Sequence, residues 1–229
     1  MGAISLFLIN YTNWRTVRTC AMKTYFDFLN DHVLENNNVL LRPLRMSDVE
    51  NLIEFSLEEP ELWTYSLVSA AGRGNLVKYI ELAESSRLQQ KEYAFIVFDK
   101  TKNCFAGSTR FYDIQPQSQT LQLGYTWYGK DFQGTGLNKN CKYLLLQFAF
   151  EECGFERVEF RADNSNQKSI AAMKSIGCTF EGVLRSHMPR PQGGRRDSAV
   201  LSILQTEWYG GIKEMLQMKM QRINNHQLQ

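Results

Sequence analysis

Gln133-Gly134-Thr135-Gly136-Leu137-Asn138 lies between an extended apolar run, Leu121 to Tyr128, and a segment with apolar residues at Leu137, Cys141, Leu144, Leu145 and Phe148. The run is rich in β-branched and aromatic residues and reads as a strand. The later spacing marks one stripe of an amphipathic helix. Gly154 follows its last turn, where a C-terminal cap belongs. A strand, a tight glycine turn and a helix N-terminus aim several backbone N–H groups at one point, which draws phosphate oxygens. The hexapeptide alone also admits a second reading, a glycine break made for steric reasons. It fits neither common phosphate loop. The Walker ending Gly-Lys-Ser/Thr is absent, and Lys139 stands where the dinucleotide fingerprint needs its third glycine.

A chain of 229 residues suits one well-buried domain with extensions, or at most two small ones. The net charge of +2 gives no reason to expect nucleic acid or a membrane surface as partner. Five cysteines (Cys20, Cys104, Cys141, Cys153, Cys178) show no close-paired spacing, so a reduced, cytoplasmic protein is expected rather than a disulfide framework. Three scattered histidines do not suggest a zinc site. No run approaches the ~20 apolar residues of a membrane span. Residues 1–21 differ from the rest, and Met22-Lys23 is an alternative start. That leader is read as a loose extension or an artefact of the assigned start.

Val39 to Leu44 reads as the first strand. Ser47-Asp48-Val49-Glu50 reads as a capping box opening a helix. A second helix is expected from Asn75 to Gln90, then strands at Tyr93–Phe98 and Phe105–Ile114. After Leu121–Tyr128 and the helix beyond the turn, Arg157–Asp163 alternates as a strand. Asn166–Ile176 reads as a short helix closed by Gly177. Two last strands, Gly182–Ser186 and Ser198–Gln205, are joined by a Pro/Gly loop, and a polar-faced helix runs from Trp208 to Met220. Ile223–Gln229 is expected to fray. These elements give one mixed α/β domain over 36–210, between an N-terminal extension (1–35) and a C-terminal helix and tail (211–229).

The order β-α-α-β-β-β-α-β-α-β-β, with a Gln-x-x-Gly turn after the fourth strand, resembles the GNAT superfamily of acyl-CoA-dependent N-acetyltransferases. It is most similar to the Rim-type branch, which modifies N-terminal amines of ribosomal proteins. Separated motifs carry the resemblance over about residues 38–210: Leu41-Arg42-Pro43-Leu44, Gly124-Tyr125-Thr126-Trp127, Gln133 to Asn138, Arg157-Val158-Glu159-Phe160, Asn164 to Ser169, Glu181-Gly182-Val183-Leu184-Arg185, Arg196-Asp197 and Glu207-Trp208. It implies a mostly antiparallel seven-stranded sheet flanked by helices, with acetyl-CoA as co-substrate and no metal. Asn138 departs from the family turn, which ends on a small residue.

By that resemblance, Gln133, Gly134, Thr135, Gly136, Leu137 and Asn138 cradle the pyrophosphate of coenzyme A at the positive helix end. Trp127 and Tyr128 mark a strand edge that splays from its neighbour and pairs with the pantetheine arm. Asn166 matches the family residue that holds that arm; its other role is a helix N-cap. Many relatives carry a tyrosine seven residues after this Asn to protonate the leaving thiolate. Here the position is Met173, which has no proton to give. Ser169 is the substitute acid and Glu181 the candidate base. Glu54, Glu58 and Glu61 are further base candidates, as is a water relayed to a backbone carbonyl.

The reaction implied is direct attack of a neutral primary amine in a ternary complex. A peptide α-amine with pKa ~8 is roughly a tenth neutral at pH 7, so a weak base suffices for it. The acceptor expected is therefore a protein N-terminal amine, or else a small-molecule amine, with the enzyme a monomer or homodimer. The alternatives are a catalytically inactive acyl-CoA-binding regulatory module, suggested by Met173, and a nucleotide-binding domain. Trp63, Tyr65 and Trp127 are expected mainly as core, with an acceptor pocket as their second role. His187 reads as a surface histidine. Arg195-Arg196-Asp197 reads as a loop ion pair, the alternative being contact with an acidic acceptor. Cys141 and Cys153 read as packing residues, and Asp113 as a turn carboxylate.

Overall fold

The computed structural model describes residues 24–191 and 193–227. The expectations for residues 1–21, for Cys20 and for the last two positions, 228–229, lie outside the described residues. One eight-stranded sheet organises the rest: β1 (Leu34–Glu35), β2 (Val39–Pro43), β3 (Tyr93–Asp99), β4 (Cys104–Gln115), β5 (Thr120–Tyr128), β6 (Arg157–Asp163), β7 (Thr179–Pro189) and β8 (Arg195–Leu204). Their order is β1-β2-β3-β4-β5-β6-β8-β7, and every neighbouring pair is antiparallel except β5–β6. The seven expected strands are all present. The eighth, β1, is two residues long and sits on the edge, too short to leave a periodic signal.

Helices α1 (Val49–Glu58) and α2 (Arg73–Leu88) cover one face of the sheet, burying Leu52, Leu76 and Ile80 against Ala94, Ile96 and Trp127. On the other face lie α3 (Leu137–Gln147), α4 (Gln167–Ser175) and a C-terminal helix (Lys213–Gln227). There Leu145, Phe148, Ile170 and Leu216 pack with Leu121, Leu123, Val158 and Phe160. The described parts of both flanking segments pack against this body: Phe26 and Phe28 enter the core, and Leu216 of the C-terminal helix is fully buried.

The start of α1 differs from expectation. Ser47 and Glu50 form no capping box. Instead the Asp48 carboxylate accepts the Arg45 N–H at 3.0 Å and pairs with Arg42, while Glu50 pairs outward with Arg73. The buried Asp48 is drawn into the ion pair, and a charge-assisted bond outweighs the local box.

Candidate functional site

β5 and β6 pair only at Thr120–Arg157, Leu121–Val158 and Gln122–Glu159. Beyond Gln122 the two strands part, and the β6-facing edge of β5 from Leu123 to Tyr128 has no strand partner among the described residues. A register shift lies in the same stretch of β5, opposite Ser108–Arg110 of β4, where Tyr125 has φ +48°. Such a bulge inserts one residue and reverses which face the later side chains meet. Leu121 and Leu123 therefore point to the α3 core, whereas Trp127 points to the α1–α2 core. The bulge is braced on both sides. Arg110 pairs with Glu92 and stacks on the rings of Tyr79 and Tyr125, at 4.9 and 4.6 Å. Gly124 is required here, because a Cβ would come within 2.9 Å of the Tyr112 ring.

The turn after β5 has the left-handed backbone its glycines permit, with φ +79° at Gly134 and +96° at Gly136. Gly136 is the N-cap of α3. The N–H groups of Gly134, Gly136 and Asn138 donate to no acceptor among the described residues. Three unused donors at the positive end of a helix fit an anionic phosphate group. Side chains fix the turn rather than fill it. Gln133 Nε2 donates to the Tyr128 carbonyl at 2.8 Å, and Thr135 Oγ1 donates to that of Phe132 at 2.8 Å. Lys168 Nζ donates to Gln133 Oε1 and so ties the first turn of α4 to this loop. Leu137 is core, and the side chains of Trp127 and Tyr128 are buried too. What those two strand residues offer at the opening is backbone.

Asn166 caps α4, its Oδ1 accepting from the Ser169 N–H at 3.0 Å. Ser169 is half-buried, and its hydroxyl has no hydrogen-bond partner among the described residues. The turn, the open β5 edge and the start of α4 thus meet at one end of the slot. Glu181 does not. It lies where β7 begins, level with the start of β5, and Arg157 holds it in a two-pronged ion pair with Ser202 Oγ donating at 2.6 Å. The Arg157 bonds pull its carboxyl down to about 2. The length of β5, roughly 25 Å at strand rise, separates it from the turn. The motif places it correctly on β7 but says nothing of which end of the sheet β7 starts from. Of the other carboxylates, Glu61 is bound to Lys130, and Glu54 and Glu58 are exposed on α1.

Several residues that the sequence did not single out line the slot. Lys142 projects from α3 beneath the bulge, 5% exposed, and donates to Thr126 Oγ1 at 2.8 Å and Thr109 Oγ1 at 3.2 Å. No carboxylate pairs with it among the described residues, and burial lowers its pKa to about 8. Its only sequence signal is a lone cation inside the apolar run of α3.

On the opposite, α1–α2 face, a cavity of about 330 Å³ opens at the end of β6. Thr64, Tyr65, Ser66 and Leu67 form one wall; Asp163, Ser165, Arg190 and Arg196 form the other. The first wall follows Trp63, whose ring packs on Trp127 at 5.2 Å. Trp63 and Trp127 are core, as expected, while Tyr65 reaches the cavity. Asp163 accepts from Ser165 N and Oγ, and pairs with Arg190 at 3.0 Å. Burial pushes its pKa up, but the Ser165 bonds and the two arginines outweigh that and hold it below the usual range.

The expected ion pair within Arg195–Asp197 is absent. Arg195 donates to Ser186 and His187, and Asp197 accepts the Ser186 N–H at 2.7 Å. Strand alternation sends Arg196 to the other face, where it is 7% exposed. His187 is not a free surface histidine either. Its Nδ1 lies 2.9 Å from Ser198 Oγ, and burial with Arg161, Arg196 and Arg195 nearby lowers its pKa. Cys141 and Cys153 are buried thiols, each pushed up to about 12 by burial, which suits packing and not nucleophilic attack. Asp113 accepts from Gln115 and Gln122 at the strand end, as a turn carboxylate. Among the described residues no group of side chains is placed to hold a metal ion, and no helix is long and apolar enough to cross a membrane.

Comparison with known proteins agrees with this arrangement. The model of the acetyltransferase (GNAT) domain matches residues 38–179. YdaF of Bacillus subtilis (strain 168), named as a candidate ribosomal N-acetyltransferase, is 26% identical over 76% of this chain and 96% of its own length. A GCN5-related N-acetyltransferase structure from Brucella melitensis superposes with a TM-score of 0.77 at 26% identity, covering 83% of this chain and 86% of that one. An acetyltransferase structure from T. thermophilus gives 0.74 at 29% identity, over 82% and 96%. With a family model matched over more than half of its length, the chain belongs to the GNAT acetyltransferases, a family that uses acetyl-CoA.

Proposed function

We propose that this enzyme transfers the acetyl group of acetyl-CoA directly to a primary amine, with a protein N-terminal amine as its acceptor. The observation that carries the reading is the pairing of an open β5 edge with three unused N–H donors at the start of α3. Acetyl-CoA would supply an activated thioester; Gly134, Gly136 and Asn138 would hold its pyrophosphate, and the β5 edge and Asn166 its amide-bearing arm. On this reading the gap left where β5 and β6 stop pairing lets the donor, held on the α3 side, reach an acceptor bound in the cavity on the α1–α2 side. Holding both partners there supplies much of the rate.

Ser169 is the proposed proton donor to the leaving sulfur, because Met173 is buried and has no proton to give. No strong base stands at the slot among the described residues. Asp163 is engaged by Arg190 and Ser165, and Glu181 lies at the far end. An α-amine that is already partly neutral suits such a site, with water passing its proton outward. YdaF, named for a ribosomal role, supports the same acceptor class. Acetyl-CoA turnover against a panel of peptides and small amines, read as free thiol, tests the reading. N-terminal peptides should be acetylated efficiently. Turnover of polyamines alone would overturn the acceptor. Tight acetyl-CoA binding with no turnover on any amine would favour the inactive module that Met173 suggests.

A further inference from the structure

Arg196 is the one cation lining the cavity that has no carboxylate bonded to it among the described residues. Its Nε donates to Ser198 Oγ at 2.9 Å, and its two terminal nitrogens have no hydrogen-bond partner among the described residues. Yet the residue is 7% exposed. Burying a guanidinium without a bonded counter-charge is costly, and here burial lowers its pKa, with Asp163, Tyr112 and Tyr125 only partly offsetting it. The neighbouring charges are already committed. Asp163 is bonded to Arg190, Glu159 to Arg157 and Arg161, and Asp197 faces away toward Ser186. The cavity wall therefore carries one acidic and two basic side chains, an excess of one positive charge. Tyr125, within electrostatic range of Arg196, belongs to the bulge on the unpaired part of β5, so the charge faces the side of the cavity toward that strand.

We propose that the acceptor carries a carboxylate close to its amine, and that the terminal nitrogens of Arg196 bind it. This rests on the acetyl-transfer reading above and narrows it. A planar guanidinium edge with two free donors matches a carboxylate, and an excess of a single charge matches a monoanion better than a phosphate dianion. Two sources would present the same chemistry: an acidic side chain next to a peptide N-terminus, or the α-carboxylate of a free amino acid.

The test compares paired acceptors on the full chain. Ser-Glu-Phe-amide is set against Ser-Gln-Phe-amide, and phenylalanine against phenylalaninamide. In the unmodified enzyme the acidic member of one pair should show a kcat/KM at least about tenfold higher, as expected for a charge-assisted bond. The pair that responds identifies the source. The ratio should fall toward one in Arg196→Met and survive in part in Arg196→Lys, with acetyl-CoA affinity as the check that each variant is folded. Equal rates within both pairs, each taken per neutral amine, or a preference kept intact by Arg196→Met, would overturn the proposal. If no amine is turned over, the acetyl-transfer reading fails by itself. Calorimetry of N-acetyl-Ser-Glu-Phe-amide against N-acetyl-Ser-Gln-Phe-amide, and of N-acetylphenylalanine against N-acetylphenylalaninamide, then decides the carboxylate question. Tighter binding of the acid in either pair upholds Arg196, and equal or absent binding of the acid in both pairs overturns it.

Discussion

The proposed donor side and the proposed acceptor side of this enzyme are built from different materials. The donor side is backbone: an open strand edge, a glycine turn and the first turn of α3, with side chains serving only to fix the loop. The acceptor side is side chains, two arginines, an aspartate and hydroxyls that arrive from three distant segments of the chain. Backbone donors hold any molecule with the right phosphate and amide groups. A charged side-chain wall can change from one relative to the next while the donor side stays as it is. One fold can therefore keep a single donor and serve many acceptors.

The largest effect is expected at the turn. Gly136→Val forces a β-branched residue into φ +96° and crowds the free N–H groups. It should weaken acetyl-CoA binding on the order of 10- to 100-fold, read by calorimetry. Acceptor recognition, measured as the Glu-over-Gln preference at saturating acetyl-CoA, should persist. If both collapse together, the two sides are not separable.

Ser169→Ala sharpens the chemistry between them. Loss of a proton donor should lower kcat on the order of tenfold or more, with little change in either KM. A rise in the acetyl-CoA KM without a fall in kcat would instead make Ser169 a binding residue.

Lys142, under the slot, gives a pH signature. Its folded pKa of about 8 lies below the ordinary 10.5 for lysine. Below pH 8 both states hold the proton and the full cost of the buried charge is felt. Between the two values the unfolded chain binds more protons, so stability rises with pH and then levels off. The unfolding free energy of the parent protein minus that of Lys142→Met should climb by up to about 3 kcal/mol across this window. A flat difference would mean that the amine is charged and compensated.

Asn166→Ala should cost about 1 kcal/mol through the lost α4 cap and raise the acetyl-CoA KM several-fold. The smallest effect is expected at Glu181→Gln, within about twofold in kcat/KM, because an exposed ion pair far from the slot contributes little. A large loss there would return Glu181 to the chemistry.

The same division explains what is legible in the sequence. The turn, its strand and its helix lie in one short segment, so local spacing is enough to place Gln133–Asn138 and the helix cap at Asn166. The succession of elements along the chain follows from period and punctuation, except for the two-residue β1. The bulge at Tyr125 is not legible, because a strand of aromatics and threonine keeps its appearance when one residue is inserted. Lys142 is hidden for the opposite reason: a lysine on a patterned helix reads as solvent-facing until the sheet above it opens. The cavity depends on residues 64–67, on Asp163 and Ser165, and on Arg190, Pro191, Gly193 and Arg196 coming together, and nothing local encodes that. Glu181 shows the cost of assigning a role from a motif without knowing which end of the sheet it occupies.

On the proposed reading, the unused N–H groups of Gly134, Gly136 and Asn138 and the open edge of β5 bind acetyl-CoA. Amide resonances followed during an acetyl-CoA titration test this directly. The Gly134, Gly136 and Asn138 amides should shift most, together with those of Leu123 to Tyr128, while Thr64–Leu67 and Arg190 barely move. Saturable binding that leaves the turn amides unshifted, or that shifts the cavity residues instead, would contradict it.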